Sequence, residues 1–227
     1  MTAQLVKLQS APDLVDQVYR ALLDAISDGS LAPGARVTQE ALAEQLAVSR
    51  QPVLQALRQL RRDGFVLDAP GRGVLVAPLD AQAILMVYQV RGALDALAAR
   101  LAARQRVAIS PKLIELGRKA SRGRNIKAMI EADMAFHSAI YAASGNPLIE
   151  PSAHLHWAHV RRVMGAVLQS SGQREAVWDE HERIARAIAA GNGDLAERLI
   201  NQHSQQAGKT LAASLSKALK LVPGDPP

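Results

Sequence analysis

A proline at the fourth position of an amphipathic stretch constrains this chain more than any other feature. The segment SRQPVLQALRQLRRDG, residues 49–64, places Val53, Ala56, Leu57 and Leu60 at helical spacing, with Pro52 near its start. Inside a helix a proline ring clashes with the preceding turn and supplies no N–H, but the first-turn amides have no intrahelical partner to lose. The helix is therefore expected to begin with Ser49 as its N-cap and to stop at Gly64, leaving Arg50, Gln51, Gln55, Arg58 and Arg62 largely outside. That start leaves only Ala47 and Val48 after the run QEALAEQL, which Thr38 can cap. Two short helices joined by so tight a turn form a helix-turn-helix. Upstream, Leu14, Val18, Ala21, Leu22, Ala25 and Ile26 define a first helix ending near Asp28, and Leu31-Ala32-Pro33-Gly34 reads as a turn. Downstream, FVLD and VLVA flank Ala69-Pro70-Gly71-Arg72-Gly73, a β-hairpin by its turn residues. Residues 1–78 thus read as a polar arm followed by a winged helix-turn-helix.

From Leu79 the pattern is helical nearly to the end, with breaks near Ser110-Pro111, Ser121–Asn125, Ser144–Pro147, Ser170–Gly172 and Gly191–Gly193. The expected fold is mostly α: the winged helix, then an all-α antiparallel bundle of about six helices over residues 79–221, then a frayed tail at 222–227. Composition agrees, since 48% apolar content with only 3% aromatic favours helix over sheet. The chain has no cysteine, which excludes disulfides and thiolate metal sites. Without an export-like start or a run of the roughly 18–20 apolar residues a span needs, a soluble cytoplasmic protein is expected. There is no internal repeat and no flexible linker.

The net charge of +6 does not by itself mean nucleic-acid binding, because Lys7 and seven arginines in residues 1–77 meet eight acids. Arg50, Arg58, Arg61 and Arg62, however, follow one another with no acid between Glu44 and Asp63. A helix so placed presents its N-terminal residues to base edges in the major groove, while neighbouring elements hold phosphates. Ser49, Arg50 and Gln51 are the expected base-reading residues, Arg50 suiting guanine and Gln51 adenine. Leu54, Gln55 and Arg58 continue that face. Arg36 and Thr38 ahead of the second helix, and Gly71 and Arg72 at the wing tip, complete the candidate DNA contacts. The competing account is a solvated basic helix face.

The segment PGARVTQEALAEQLAVSRQPVLQALRQLRRDGFV, from Pro33 to Val66, resembles the signature of the GntR superfamily of bacterial transcription regulators, PGxRLxExxLAExLGVSRTPVREALRxLExxGLV. The likeness continues through GRGVLVAPL at 71–79. It departs at Ala47, Gln51, Leu54 and Gln55, where the family has glycine, threonine, arginine and glutamate. If the turn is left-handed at Ala47, alanine costs roughly 1 kcal/mol there. Leu54 replaces a charged DNA-facing residue with one suited to a thymine methyl, so the operator is expected to deviate from the family consensus.

Each downstream helix carries a polar residue in its apolar stripe. Arg91 sits with Ile84, Val87, Leu94, Ala98 and Leu101. Asp133 and His137, four residues apart, sit with Ile126, Ile130 and Tyr141. His181 aligns with Val177, Ile184 and Ile188, and His203 with Leu195, Leu199 and Leu211. Burying such groups is expensive unless they are paired or bind a metal. One carboxylate and three imidazoles suit zinc first, with nickel or manganese as alternatives; hydrogen-bonded core histidines are the plain alternative. Here the chain is also similar to the FadR-type subfamily, whose C-terminal helical FCD domain, in its metal-binding, VanR-like members, uses an Asp-x3-His helix and two later histidines. DMAFH, DEHERIARAI and NQH match those positions at Asp133, His137, His181 and His203, and SGNPL at 144–148 is family-like too. The resemblance implies that Arg91, in the place of the family's VRxALE segment, clamps the carboxylate of a small organic acid, with a salt bridge to Asp95 as the alternative. It also implies a homodimer on a pseudo-palindromic double-stranded DNA operator, acting as repressor in preference to activator.

Two features stay open: the region from Arg100 to Lys127, with nine basic residues and one acid, and His154, His156 and His159 around Trp157, which are candidates to line the pocket. An enzyme needs a base beside the metal, and Glu182 next to His181 points about 100° away along the helix. HERIA lacks the second histidine of HExxH, and no phosphate-binding glycine loop is present. Beside an acid-responsive regulator stand a regulator sensing metal alone and a metal-dependent enzyme acting on a small acid.

Overall fold

The computed structural model describes residues 14–168 and 175–221; the expected N-terminal arm, the break at 170–172 and the tail at 222–227 lie outside them. The chain divides into two compact units between Pro78 and Leu79.

In the first unit, α1 (Leu14–Ser27) buries Val18, Leu22, Leu23 and Ile26. α2 (Gln39–Gln45) starts at Thr38, whose hydroxyl accepts the Ala41 amide at 3.3 Å. α3 (Arg50–Arg62) starts after Ser49, which has extended backbone but makes no side-chain cap bond. Val53, Ala56, Leu57 and Leu60 are all buried, as the spacing requires, and Pro52 joins them in the first turn. Between α2 and α3 the chain turns through Ala47 at φ +51°, a left-handed conformation that a Cβ disfavours. β2 (Val66–Asp68) and β3 (Val74–Val76) form the expected wing hairpin. A third strand, β1 (Arg36–Val37), pairs antiparallel with the other edge of β3, giving the order β1-β3-β2. Two residues are too few to show an alternating pattern, so β1 was not anticipated. Gly73 (φ +91°) permits it, because any Cβ there would collide with the Val37 carbonyl.

In the second unit, α4 (Ala81–Arg104), α5 (Pro111–Arg122), α6 (Ile126–Ala143), α7 (Ile149–Val167), α8 (Glu175–Ala189) and α9 (Gly193–Leu221) make a helical bundle. α4 and α9 pack most closely. Gly92 lies against Ser204, and a Cβ on Gly208 would come within 2.9 Å of Tyr88. α4 also buries Ala96, Ala98, Ala99, Ala102 and Ala103, of which Ala96, Ala99 and Ala103 share the helix face of Gly92. This corrects two expected stripes. On α4, Val87, Leu94 and Leu101 are only half-buried, and Tyr88, Arg91, Asp95 and Ala99 face inward; on α9, Leu195 and Leu199 give way to Ala196 and Ile200. The physical reason is approach distance: small side chains let two long helices come together, and larger apolar residues then serve as flanks.

Candidate functional site

In the first unit, the exposed end of α3 carries Ser49, Arg50 and Gln51, with Gln55 and Arg58 exposed further along and Leu54 half-buried. The basic stripe is not acid-free in space. Arg50 lies 3.3 Å from Glu40, Arg61 2.9 Å from Asp68 and Arg62 3.3 Å from Asp63. The first two are solvent-exposed pairs that hold side chains weakly, so a stronger anion can replace the acid; Asp63 is mostly enclosed and also accepts from the Tyr19 hydroxyl at 2.8 Å. Arg36 is engaged differently: its Nε donates to the Arg72 carbonyl at 3.0 Å and its Nη2 to the Pro70 carbonyl at 2.8 Å. It braces the wing tip that presents Gly71 and the exposed Arg72, and Thr38 caps α2; both therefore have work inside the unit. Sequence spacing had no access to the Arg36 clamp, which spans 34–36 residues.

In the second unit, α6 supplies Asp133 and His137, α8 supplies His181 and α9 supplies His203, with one potential ligand atom from each lying within 4.8 Å of all the others. His137 and His181 are fully enclosed, and His203 is 5% exposed. His181 Nε2 stands 3.3 Å from His203 Nε2 and 3.4 Å from Asp133 Oδ1. Ligand atoms held about 2.0–2.1 Å from a shared tetrahedral ion stand roughly 3.3 Å apart. Neither ring nitrogen of His137, nor Nδ1 of His181, has a hydrogen-bond partner. Buried ring nitrogens without partners are costly in an ordinary core, and here they belong to rings that each bring a ligand atom into one cluster, as around a metal. Burial, followed by the neighbouring His203, His137 and Arg91, holds His181 well below the usual histidine range, so its imidazole is neutral, as metal ligation requires. The donor set fits a divalent ion.

Behind these ligands lies a second layer of polar groups. Glu180 is 2.8 Å from His203 Nδ1, a bond that lowers the Glu180 pKa. Asp95, fully buried, lies 3.4 Å from His137 Nδ1. It accepts from the Tyr141 hydroxyl, from Ser204 Oγ at 3.1 Å and from Arg91 Nε at 3.1 Å, and Trp157 Nε1 donates to the Tyr141 oxygen at 3.1 Å. Burial alone would raise the Asp95 pKa, but the Arg91 charge and then His137 overcome it and keep the carboxylate ionised. Arg91, 1% exposed, lies between the Tyr88 and Trp157 rings, 4.5 and 4.3 Å from their centroids. Such carboxylate-histidine contacts orient ligating rings and raise their basicity.

Arg91 therefore makes the salt bridge to Asp95, yet its Nη1 remains without a partner. It also lines a cavity of about 230 Å³ together with Tyr88, Met129, Asp133, Trp178 and His203. The pair and the pocket are not exclusive alternatives. Among the described residues lining this cavity His154, His156 and His159 do not appear; His154 lines a separate groove with Tyr141 and Glu150, and burial followed by the Arg91 charge lowers the His156 pKa. In the basic 100–127 region, Arg100 pairs with Glu197 at 2.9 Å and Arg118 with Asp179 at 2.6 Å, so part of it is an ordinary ion-paired surface. Glu182 is held by Arg118 at 2.9 Å and Arg186 at 2.5 Å, away from the ligand quartet. Tyr88, Trp178, Glu180 and Ser204 were missed from the sequence, and Tyr141 is read there only as part of an apolar stripe. The spacing of Arg91 and Asp95 at i,i+4, and the place of Tyr141 in the stripe of His137, were the visible traces of this layer.

Residues 14–76 match the family described as bacterial regulatory proteins, gntR family, and residues 86–206 match the FCD domain. The HTH-type transcriptional regulator LutR of Bacillus subtilis strain 168 is 32% identical, the match covering 78% of this chain and 92% of LutR. A protein of Paenarthrobacter nicotinovorans named "Probable D-xylose utilization operon transcriptional repressor" is 25% identical over 84% of this chain and 85% of its own. Among solved structures, E. coli McbR/YncC superposes with a TM-score of 0.72 at 22% identity, covering 90% of this chain and 98% of that one; this last likeness concerns the fold alone.

Proposed function

The chain belongs to the GntR family of bacterial regulators, of the FadR type with an FCD domain, and from that premise we propose that a small carboxylate bound at a divalent metal in the second unit controls how the first unit holds its operator. The relatives are transcription regulators and not enzymes, and this chain is a DNA-binding transcription regulator. The observation that carries the finer reading is the quartet Asp133, His137, His181 and His203, of which Asp133 and His203 line the same cavity as Arg91, whose Nη1 lacks a partner.

When bound, the ion would supply a Lewis-acid site for a ligand oxygen; zinc suits the donor set, with nickel or manganese possible. Arg91 Nη1 donates to the ligand carboxylate, and Asp95 holds the guanidinium in place from behind. Because Asp95 also contacts His137 of α6 and Ser204 of α9, a ligand drawing on Arg91 bears on both helices at once. On DNA, Ser49, Arg50, Gln51 and Leu54 read base edges and Gln55, Arg58 and Arg72 hold the duplex. Arg36, Thr38 and Gly71 shape the elements that do so. Two half-sites require two copies, hence a homodimer, and the relative named a probable transcriptional repressor supports repression as the mode of action; the cytoplasm is the place such a regulator meets its operator. By linkage, an acid that weakens operator binding is itself bound more weakly by the operator complex.

Selecting bound duplexes from a random pool tests this. Paired half-sites about one helical turn apart are expected, with Arg50→Ala lowering affinity for the selected duplex roughly 10- to 100-fold and hardly affecting non-specific DNA. Arg91→Ala is expected to uncouple DNA release from any acid that releases the wild type. Unchanged selectivity in the first variant, or intact release in the second, sinks the corresponding half of the proposal. A metal sensor without an organic ligand predicts operator affinity that follows metal alone, and it leaves Arg91 Nη1 without a role.

A further inference from the structure

Resting on the docking of α3 proposed above, we infer that Glu40 is a positioning residue for base reading: it holds Arg50 at Nη1 and leaves the other edge of the guanidinium for guanine. Glu40 lies in the first turn of α2 and Arg50 opens α3, and the turn through Ala47 brings these two helix starts together. Glu40 Oε1 stands 3.3 Å from Arg50 Nη1. The GntR signature leaves position 40 unspecified, and at position 54 this chain has leucine where the signature has arginine. Within one turn of Arg50 on this face of α3, therefore, no second cation competes for Glu40.

A carboxylate at this end of the reading helix repels phosphates, so its presence lowers affinity for every DNA sequence. What it gains is direction. The Arg50 side chain is 70% exposed, and among the described residues Glu40 is what holds it. Released, it takes a phosphate as readily as a base, and phosphates carry no sequence information. A guanidinium engaged at Nη1 keeps its Nε–Nη2 edge, whose two N–H donors match O6 and N7 of guanine. In water an exposed pair of this kind is weak, but the groove excludes water around it and the attraction strengthens. The plain alternative is that Glu40 serves only as a first-turn acid at the positive end of α2. That role does not involve Arg50 and confers no base preference.

The experiment uses the full-length protein and the duplex selected from the random pool, made with each possible base pair at the position where Arg50→Ala loses discrimination. Affinities at one fixed salt concentration are measured by fluorescence anisotropy for the wild type, Glu40→Ala, Arg50→Ala and the double variant, with an unrelated duplex as the non-specific reference. Glu40→Ala is expected to lower the preference for guanine about tenfold and to raise affinity for the unrelated duplex about twofold, since a charge that repels phosphates is gone. In the Arg50→Ala background the same change is expected to leave base preference unaltered. Both side chains are exposed, so each variant is expected to unfold near the wild-type temperature. A guanine preference kept within about twofold in Glu40→Ala overturns the inference, as does a loss of preference that Glu40→Ala still causes without Arg50. Equal weakening on every duplex, with a lowered unfolding temperature, leaves Glu40 as a first-turn acid alone and overturns it too. If Arg50→Ala relaxes no position of the selected duplex, the docking of α3 falls and the inference falls with it.

Discussion

Replacing Asp95 with asparagine keeps the shape of the side chain and removes its charge, at a position that is fully buried and bonded on all sides. Its carboxylate neutralises Arg91, which is 1% exposed and would be left as an unpaired buried cation. Breaking a buried ion pair from one side costs about 3–5 kcal/mol. The hydroxyls of Tyr141 and Ser204, which now donate to carboxylate oxygens, would compete for the single remaining carbonyl oxygen. The loss is large against a total stability of about 5–15 kcal/mol for a domain, and in a unit of this size it corresponds to roughly 10 °C in Tm. Zinc affinity should fall with it by about 10- to 100-fold, because Asp95 orients the His137 ring. Urea unfolding of the metal-free protein measures the first effect and competition with a chromophoric chelator the second. The double variant Arg91→Met, Asp95→Asn should recover most of the stability, since no charge remains to be orphaned, but not the zinc affinity. An Asp95→Asn protein within about 0.5 kcal/mol of wild type, or a double variant less stable than Asp95→Asn alone, would refute the buried-pair reasoning.

Three further outcomes follow from particular positions. Ala47→Gly, at an exposed site with φ +51°, should stabilise the winged helix by about 0.5–1 kcal/mol, read as a higher denaturant midpoint; a destabilised variant would mean that the turn is not left-handed. Gly117→Ala places a methyl group in the Trp178 ring and should cost about 1–3 kcal/mol while changing tryptophan emission, and an unaltered spectrum contradicts the packing. In chelator-treated protein, His181 has a folded pKa well below the roughly 6.5 of an unfolded histidine. The unfolded state therefore binds more protons below about pH 6.5, and stability should be full above that pH and fall as the pH drops, by up to about 1.4 kcal/mol per unit. A flat unfolding midpoint through that window would show that His181 is not held neutral.

The sequence by itself settled whatever depends on near neighbours along the chain. Pro52 located the start of α3, and period-3.6 spacing picked out the buried face of α3 and the inward Asp133 and His137. Local rules suffice there, because residues three or four apart on a helix share a face whatever surrounds it. Only the tertiary structure decided which side of α4 and α9 turns inward, since that depends on how closely alanine and glycine let the two helices approach. The same holds for the support behind the quartet. Tyr141 reaches Asp95 across 46 residues and Ser204 across 109, and no periodicity encodes such a pair. It is likewise the fold that brings Asp68 to Arg61, makes Arg36 a brace for the wing and lets Arg91 serve Asp95 and the cavity together. A side chain's inward direction is a property of its helix, but its partners are fixed only when distant segments close around it.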